Sequence, residues 1–128
     1  MRKTKRIAGT IAAGAAGVAM LLGATAAPAQ AASTIQGCPA GYVCLYPQNA
    51  GWNGGRPSYK WYTYGPHNLS NQFGTHRIFN NQVAGASARL CAGYNGTNCY
   101  SWTIAAGKYG DYNFTPVNSV MLAPSPLD

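Results

Sequence analysis

The residues best suited to chemistry in this chain are four cysteines, which fall into two close pairs, Cys38/Cys44 and Cys91/Cys99. Neither pair has the CxxC spacing of a zinc site, and only two histidines accompany them. An even number of cysteines in a small chain indicates disulfides, for which three pairings exist. The first members of the pairs are 53 residues apart and the second members 55, which suggests a duplicated unit. We therefore favour Cys38–Cys44 and Cys91–Cys99, because each repeat then closes its own loop.

Groups for acid–base catalysis are scarce. The chain has no glutamate, and its aspartates are Asp111 and Asp128. Paired carboxylates for glycoside hydrolysis exist only if these two meet. His67 and His76 lie in Gly- and Asn-rich sequence typical of loops, where a histidine is usually solvated or a turn partner. We therefore predict that the chain is not an enzyme and has no catalytic residues and no cofactor.

The first 31 residues have the three regions of a secretory signal peptide. A cationic start is followed by an Ala/Gly-rich apolar stretch over residues 7–26 and by small-residue cleavage patterns over residues 27–31. A retained membrane anchor is the alternative, because the stretch is nearly long enough to span a bilayer. Its hydrophobicity is weak, however, and no stop-transfer charges follow it. We predict a signal peptide over residues 1–31 and a secreted, extracellular protein that has no membrane contact after cleavage.

Removal of the signal changes the net charge. The whole chain carries +7, but four of its nine basic residues belong to the signal. Residues 32–128 keep five Lys or Arg against two Asp, which gives 5 − 2 = +3 over 97 residues. Nucleic-acid binding normally needs Lys and Arg clustered on one face, and these five are scattered singly. We therefore predict no nucleic-acid partner.

Short β-rich runs alternate with turn sequences between residues 32 and 122, and no helical period is apparent. The clearest strand predictions are residues 43–46, 59–64, 77–79, 88–91, 100–104 and 119–122. Asn95-Gly96 predicts a tight turn between the second pair of cysteines. About eight short strands with Gly-rich turns predict a β-sandwich. Residues 123–128, with two prolines, are expected to be a flexible tail.

The two halves share a Cys–aromatic–Gly pattern, which indicates a pair of Greek keys. The run from Cys38 to Tyr46, the Trp52-Asn53-Gly54-Gly55 corner and the later Gly107-Lys108-Tyr109 resemble the Streptomyces metalloproteinase inhibitor family. The resemblance covers about residues 37–122. It implies a secreted βγ-crystallin-like domain of two Greek keys with two local disulfides. It also implies a monomer whose partner is an extracellular protease, specifically a metalloprotease.

The resemblance places the inhibitory loop at Cys91, Ala92, Gly93 and Tyr94, with a scissile-like bond between Cys91 and Ala92. A cross-linked loop is already ordered, so it loses little entropy on entering a protease cleft. Tyr94 is the expected anchor, because aromatic residues often dominate binding. The loop is longer than the inhibitor pattern, and Ala92-Gly93 offers little side chain to an enzyme that favours bulky apolar groups. An ordinary stapled hairpin is the alternative.

Crystallin-like units often bind calcium through an Asn/Asp pair followed by hydroxyl residues. Asn80-Asn81 occupies this position, but Ala84 stands where a hydroxyl ligand is needed, and neither asparagine is anionic. Calcium prefers several oxygen ligands, carboxylates among them. We interpret Asn80 and Asn81 as a degenerate calcium-type site and predict no bound metal.

Aromatic residues exceed what a domain of this size can fully bury. Residues 61 and 62 are an adjacent Trp and Tyr, which must point to opposite faces of a strand. Rings with polar tips suit wet interfaces. The alternative function is therefore a non-inhibitory binding module, for a cell-wall glycan or with an antimicrobial, killer-toxin-like role.

Overall fold

The structure is a computed structural model that describes residues 33–125. The predicted signal peptide and residues 126–128 of the predicted tail lie outside the described residues. The described chain forms eight strands and a short 3₁₀ turn at Tyr94–Gly96. The strands are β1 (Val43–Leu45), β2 (Tyr59–Trp61), β3 (Gly65–Asn68), β4 (Thr75–Asn80), β5 (Ser87–Cys91), β6 (Ile104–Ala105), β7 (Tyr109–Asn113) and β8 (Ser119–Ala123).

The strands form two four-stranded sheets in which every neighbouring pair is antiparallel. Sheet 1 has the order β2-β1-β4-β7, and sheet 2 has the order β6-β5-β8-β3. β4 returns to lie beside β1, and β8 returns to lie beside β5. The third strand of each half pairs with the sheet of the other half. The prediction of an all-β sandwich with two local disulfides is confirmed.

The main core lies between the two sheets. Period-two alternation in the strands turns one set of apolar side chains inward. Val43, Leu45 and Ile78 from sheet 1 join Leu90, Val120 and other buried residues in one cluster. A second cluster, which contains Cys38, Cys44, Tyr46 and Phe79, is packed with Trp52 and Tyr42. All three residues of β1 are buried because β1 contributes to both clusters.

The predicted aromatic strand over residues 59–64 is shorter in the structure. β2 ends at Trp61, and the chain turns through residues 62–64 before β3 begins at Gly65. Gly65-Pro66 is a pair typical of turns, but here it starts a strand. Proline is acceptable there because β3 is an edge strand of sheet 2, where a missing N–H costs no ladder hydrogen bond.

The second half also departs from the prediction. The alternating run over residues 100–104 is a strand only from Ile104, and Tyr100 packs its ring against the main core instead. The strand prediction missed β7, which pairs with β4 in sheet 1. β8 continues to Ala123, which is buried and pairs with Ser87, so the first residue assigned to the tail belongs to the sheet.

Candidate functional site

A disulfide-closed hairpin follows β5. Cys91 is the last residue of β5, and its Sγ is bonded to that of Cys99 at 1.96 Å. Inside this closure the N–H of Ala92 donates to the carbonyl of Asn98 at 2.9 Å, and a second backbone hydrogen bond of 2.9 Å lies one step further out. The hairpin is therefore closed twice, by a covalent bond and by its own backbone ladder.

The tip of the hairpin is a two-residue turn at Asn95 and Gly96. Both have left-handed backbone, with φ of 60° and 72°, and the N–H of Thr97 donates to the carbonyl of Tyr94 at 3.3 Å. Asn-Gly is the sequence that favours such a turn. A Cβ at Gly96 would only displace the end of the flexible Met121 side chain, so the left-handed backbone is what favours glycine here. The tight turn predicted from Asn95-Gly96 is confirmed.

Polar side chains of β8 and β3 in sheet 2 hold the hairpin by hydrogen bonds. The buried Ser119 Oγ of β8 donates to the carbonyl of Gly93 at 2.6 Å and accepts from the N–H of Gly96 at 3.0 Å. Asn68, at the end of β3, accepts from the N–H of Asn95 at 2.7 Å and donates to its Oδ1 at 3.0 Å. The hairpin is thereby fixed to two strands other than the one it extends.

The backbone on both sides of the Cys91–Ala92 peptide bond is hydrogen-bonded within the domain. Cys91 is fully buried, and its carbonyl accepts from the N–H of Asn118 at 2.9 Å. The N–H of Ala92 is bonded to Asn98, and its carbonyl accepts from Asn118 Nδ2 at 2.8 Å. Tyr94, in contrast, is 51% exposed. Of the four predicted loop residues, Tyr94 is exposed to solvent, Ala92 and Gly93 are half-buried, and Cys91 is buried.

The first disulfide joins Cys38 and Cys44 at 2.08 Å. Both cysteines are fully buried and lie in the second cluster with Tyr46 and Phe79. Both predicted local pairings are therefore confirmed. The first disulfide is part of a buried cluster, whereas the second closes a hairpin at the surface.

Asn80 and Asn81, the degenerate calcium-type pair, are buried and bonded to the protein. Asn80 Nδ2 donates to the carbonyl of Ile104 at 2.8 Å, and its Oδ1 accepts from the N–H and from Nε2 of Gln82, each at 3.0 Å. Asn81 Nδ2 donates to the carbonyl of Cys38 at 2.8 Å. Both amides therefore connect segments of the fold. Within residues 33–125 there is no group of three or more His, Cys, Asp or Glu that could hold a metal ion.

The two histidines contact carbonyl oxygens. His76 is buried, with Nδ1 2.7 Å from the carbonyl of Tyr46 and Nε2 3.0 Å from that of Phe73. His67 Nε2 is 2.7 Å from the carbonyl of Thr63. His67 lies on β3 and His76 on β4, not in loops as the sequence suggested, and these contacts tie each strand to a neighbouring loop.

Arg77 and Asp111 form a bidentate pair across β4 and β7. Arg77 Nε and one terminal nitrogen donate to the two carboxylate oxygens at 2.8 and 2.9 Å. The guanidinium carbon also lies 4.8 Å from the ring centre of Trp52 and 4.7 Å from that of Tyr109. The hydrogen bonds from Arg77 lower the pKa of Asp111 and, reciprocally, raise that of Arg77. Asp128, the other predicted carboxylate, lies outside the described residues.

The sequence analysis did not identify the residues that hold the hairpin. Ser119 and Asn118 are each 26 residues from their hairpin acceptors, and Asn68 is 27 residues from Asn95. A serine or asparagine at the end of a strand carries no local sign of such a distant partner. These hydrogen bonds form only when the fold places β3 and β8 beside the hairpin.

No helix of the described chain is both long enough and apolar enough to cross a membrane. Its two disulfides are typical of proteins from oxidising compartments. No family model, no curated protein and no solved structure matches the chain.

Proposed function

We propose that this protein is a secreted peptidase inhibitor that acts by binding, as a monomer, to an extracellular metalloprotease. The observation that carries the proposal is the hairpin of residues 91–99, which is held rigid at its base and exposes Tyr94 near its tip. An ordered loop avoids most of the conformational cost of binding. Tyrosine is among the residues that most often dominate an interface.

The strand arrangement supports the fold that the inhibitor resemblance implies. In a Greek key the fourth strand returns to lie beside the first, as β4 does beside β1 and β8 beside β5. In both halves the third strand, β3 or β7, joins the sheet of the other half. We propose on this basis that the sandwich is a βγ-crystallin-like pair of Greek keys in which the second key carries the binding hairpin.

The hydrogen bonds around the hairpin favour one mode of contact. The peptide between Cys91 and Ala92 would have to break bonds to Asn118 and Asn98 before it could lie in an active-site cleft. Tyr94 is exposed without any such rearrangement. In the proposed mode the Tyr94 ring therefore enters an apolar subsite, and the base of the hairpin stays folded.

The test is an inhibition assay against thermolysin with the purified protein and three variants. We expect inhibition at micromolar protein and a loss of about 30-fold or more in affinity for Tyr94→Ala, the magnitude of an interface hot spot. Tyr64→Ala is the matched control, because Tyr64 is 54% exposed but lies outside the hairpin. It should inhibit as well as the parent protein.

Ala92→Val separates the two modes of contact. A bulkier apolar group beside the Cys91–Ala92 bond improves inhibition if that bond is what the protease contacts, and leaves it within about twofold if the Tyr94 tip is. A lack of inhibition at micromolar concentration by both the parent protein and Ala92→Val would overturn the proposed function.

A further inference from the structure

The chain contains two Asn-Gly dipeptides, Asn53-Gly54 and Asn95-Gly96, and each forms the centre of a tight turn. All four residues have left-handed backbone, with φ of 52° and 64° in the first pair and 60° and 72° in the second. Each turn is closed by one backbone hydrogen bond, of 2.9 Å from the N–H of Gly55 and of 3.3 Å from that of Thr97. Because the two pairs share their sequence and local geometry, a difference in their reactivity must come from their surroundings.

An Asn-Gly pair can lose ammonia without an enzyme. The backbone nitrogen of the glycine attacks the side-chain carbonyl carbon of the asparagine, the amide nitrogen leaves as ammonia with the N–H proton, and a succinimide ring forms. Water then adds to one of the two ring carbonyls and gives aspartate or isoaspartate. Glycine suits this attack because it has no Cβ to crowd its nitrogen. The reaction requires a glycine N–H that can lose its proton and an asparagine side chain that can rotate toward it.

The contacts that hold the hairpin restrain both reacting groups of the second pair. The N–H of Gly96 donates to the buried Ser119 Oγ at 3.0 Å, so the attacking nitrogen is engaged. The side chain of Asn95 accepts from Asn68 Nδ2 at 3.0 Å, and its backbone N–H donates to Asn68 Oδ1 at 2.7 Å. Succinimide formation at this site would have to break contacts to two other strands, inside a loop that a disulfide closes.

The first pair is not restrained in this way. Gly54 is exposed, and in the part of the chain that the structure describes its N–H has no hydrogen-bond partner. The side chain of Asn53 makes one hydrogen bond, in which Nδ2 donates to the carbonyl of Arg56 at 2.9 Å. This contact lies within three residues of Asn53, so a local opening of the turn is enough to release it.

Arg56 also places a positive charge beside the attacking nitrogen. A Cβ at Gly54 would lie 3.1 Å from Arg56 Nη1 and 3.6 Å from its Cζ, so the guanidinium packs against Gly54. Loss of the Gly54 amide proton creates negative charge, which a nearby cation stabilises. We infer that Asn53 is a site of spontaneous deamidation in the folded protein and that Asn95 is protected from it. This inference does not depend on the proposed inhibitory function.

The modification would alter the surroundings of Trp52. A new carboxylate changes the net charge of residues 32–128 from +3 to 5 − 3 = +2. In isoaspartate the main chain runs through the former side chain, which adds one atom to a turn that begins at Trp52. The Trp52 ring packs edge-on against Tyr46 and Phe79, with centroids 5.2 and 5.4 Å apart. The isoaspartate form should therefore loosen the second cluster.

The experiment incubates the purified protein at mildly alkaline pH and measures aspartate and isoaspartate at each site by peptide mapping and mass spectrometry. We expect Asn53 to react at least tenfold faster than Asn95, a ratio that corresponds to about 1.4 kcal/mol. In concentrated urea with the disulfides reduced, the two rates should come within about threefold of each other, because the folded contacts are lost. Equal rates in the folded protein, or a tenfold ratio that persists in urea, would overturn the inference.

Variants test the two causes separately. Ser119→Ala should raise the rate at Asn95 at least threefold and leave the rate at Asn53 within twofold. Arg56→Gln should slow the reaction at Asn53 at least threefold, and Arg56→Lys, which keeps the charge, should slow it less. An unchanged rate at Asn95 in folded Ser119→Ala would refute the protection, and an unchanged rate at Asn53 in Arg56→Gln would refute the role of the charge. The comparison in urea uses the parent protein, so it remains decisive if a variant does not fold.

Discussion

Replacing Ser119 by alanine removes the side chain that fastens the hairpin to β8. The buried Oγ makes two hydrogen bonds, at 2.6 Å to the carbonyl of Gly93 and at 3.0 Å to the N–H of Gly96. Each such bond stabilises a protein by about 0.5–1.5 kcal/mol net. Gly93 and Gly96 are half-buried, so water can replace part of the hydrogen bonding that their backbone groups lose. We therefore expect Ser119→Ala to lower the free energy of unfolding by about 1–3 kcal/mol.

Two measurements check this magnitude. In urea unfolding the midpoint should fall by about 1 M with an unchanged slope, because slopes are about 1–3 kcal/mol/M for small domains and the exposed surface is the same. In hydrogen exchange the Gly96 amide should exchange about tenfold faster for every ~1.4 kcal/mol of lost protection. Inhibition by the variant should weaken in parallel, because the hairpin would have to be ordered on binding.

Ser87→Ala is the matched control. Ser87 is also a buried serine of sheet 2, but its Oγ donates to the carbonyl of Ser125 at 2.8 Å, away from the hairpin. It should leave exchange at Gly96 unchanged. If Ser119→Ala altered neither the Gly96 exchange rate nor inhibition, the claim that sheet 2 holds the hairpin rigid would fail.

Three further substitutions test the ion pair and the buried amides. The pKa of Asp111 is lowered from its ordinary 3.8 by the hydrogen bonds from Arg77, so the pair stabilises the fold above that pH and the effect is lost as pH falls through the folded-state pKa. Urea unfolding should therefore show Asp111→Asn to be less stable than the parent near neutral pH, by less than about 1 kcal/mol because the carboxylate is exposed, and equal to it in acid. Asn80→Ala should cost about 3–4 kcal/mol because its amide makes four hydrogen bonds, and Asn81→Ala about 1–2 kcal/mol because its amide makes two.

The predictions for Asp111 and for the two asparagines can each be contradicted by one result. A stability difference for Asp111→Asn that stays constant down to about pH 2 would mean that the carboxylate pair is not its source. Equal losses from Asn80→Ala and Asn81→Ala would mean that the counted hydrogen bonds do not set the cost.

Much of the fold is encoded in short-range patterns. The cysteine spacing was sufficient for both disulfides, and Asn95-Gly96 for the hairpin turn, because each depends on residues close in sequence. β7 was missed because its residues, Tyr109 to Asn113, include Gly, Asp and Asn, which are depleted in strands. Its place comes from pairing with β4, to which Asp111 adds a side-chain contact with Arg77.

The candidate site was predictable only in outline. The sequence indicated Tyr94 as the contact residue. It could not show that Asn118, which is 26 residues away, donates hydrogen bonds to the carbonyls of Cys91 and Ala92. The break in the chain after Trp61 was equally hidden, because the run over residues 59–64 predicts one strand.

The exchange of β3 and β7 means that neither half of the chain is complete. Residues of the first half alone would leave sheet 1 without β7 and would leave β3 with no sheet to join. The two sheet orders are related by a shift of four strands, so each half gives its third strand to the other in the same way. The halves are therefore interlocked, and each supplies the edge strand that completes the other's sheet.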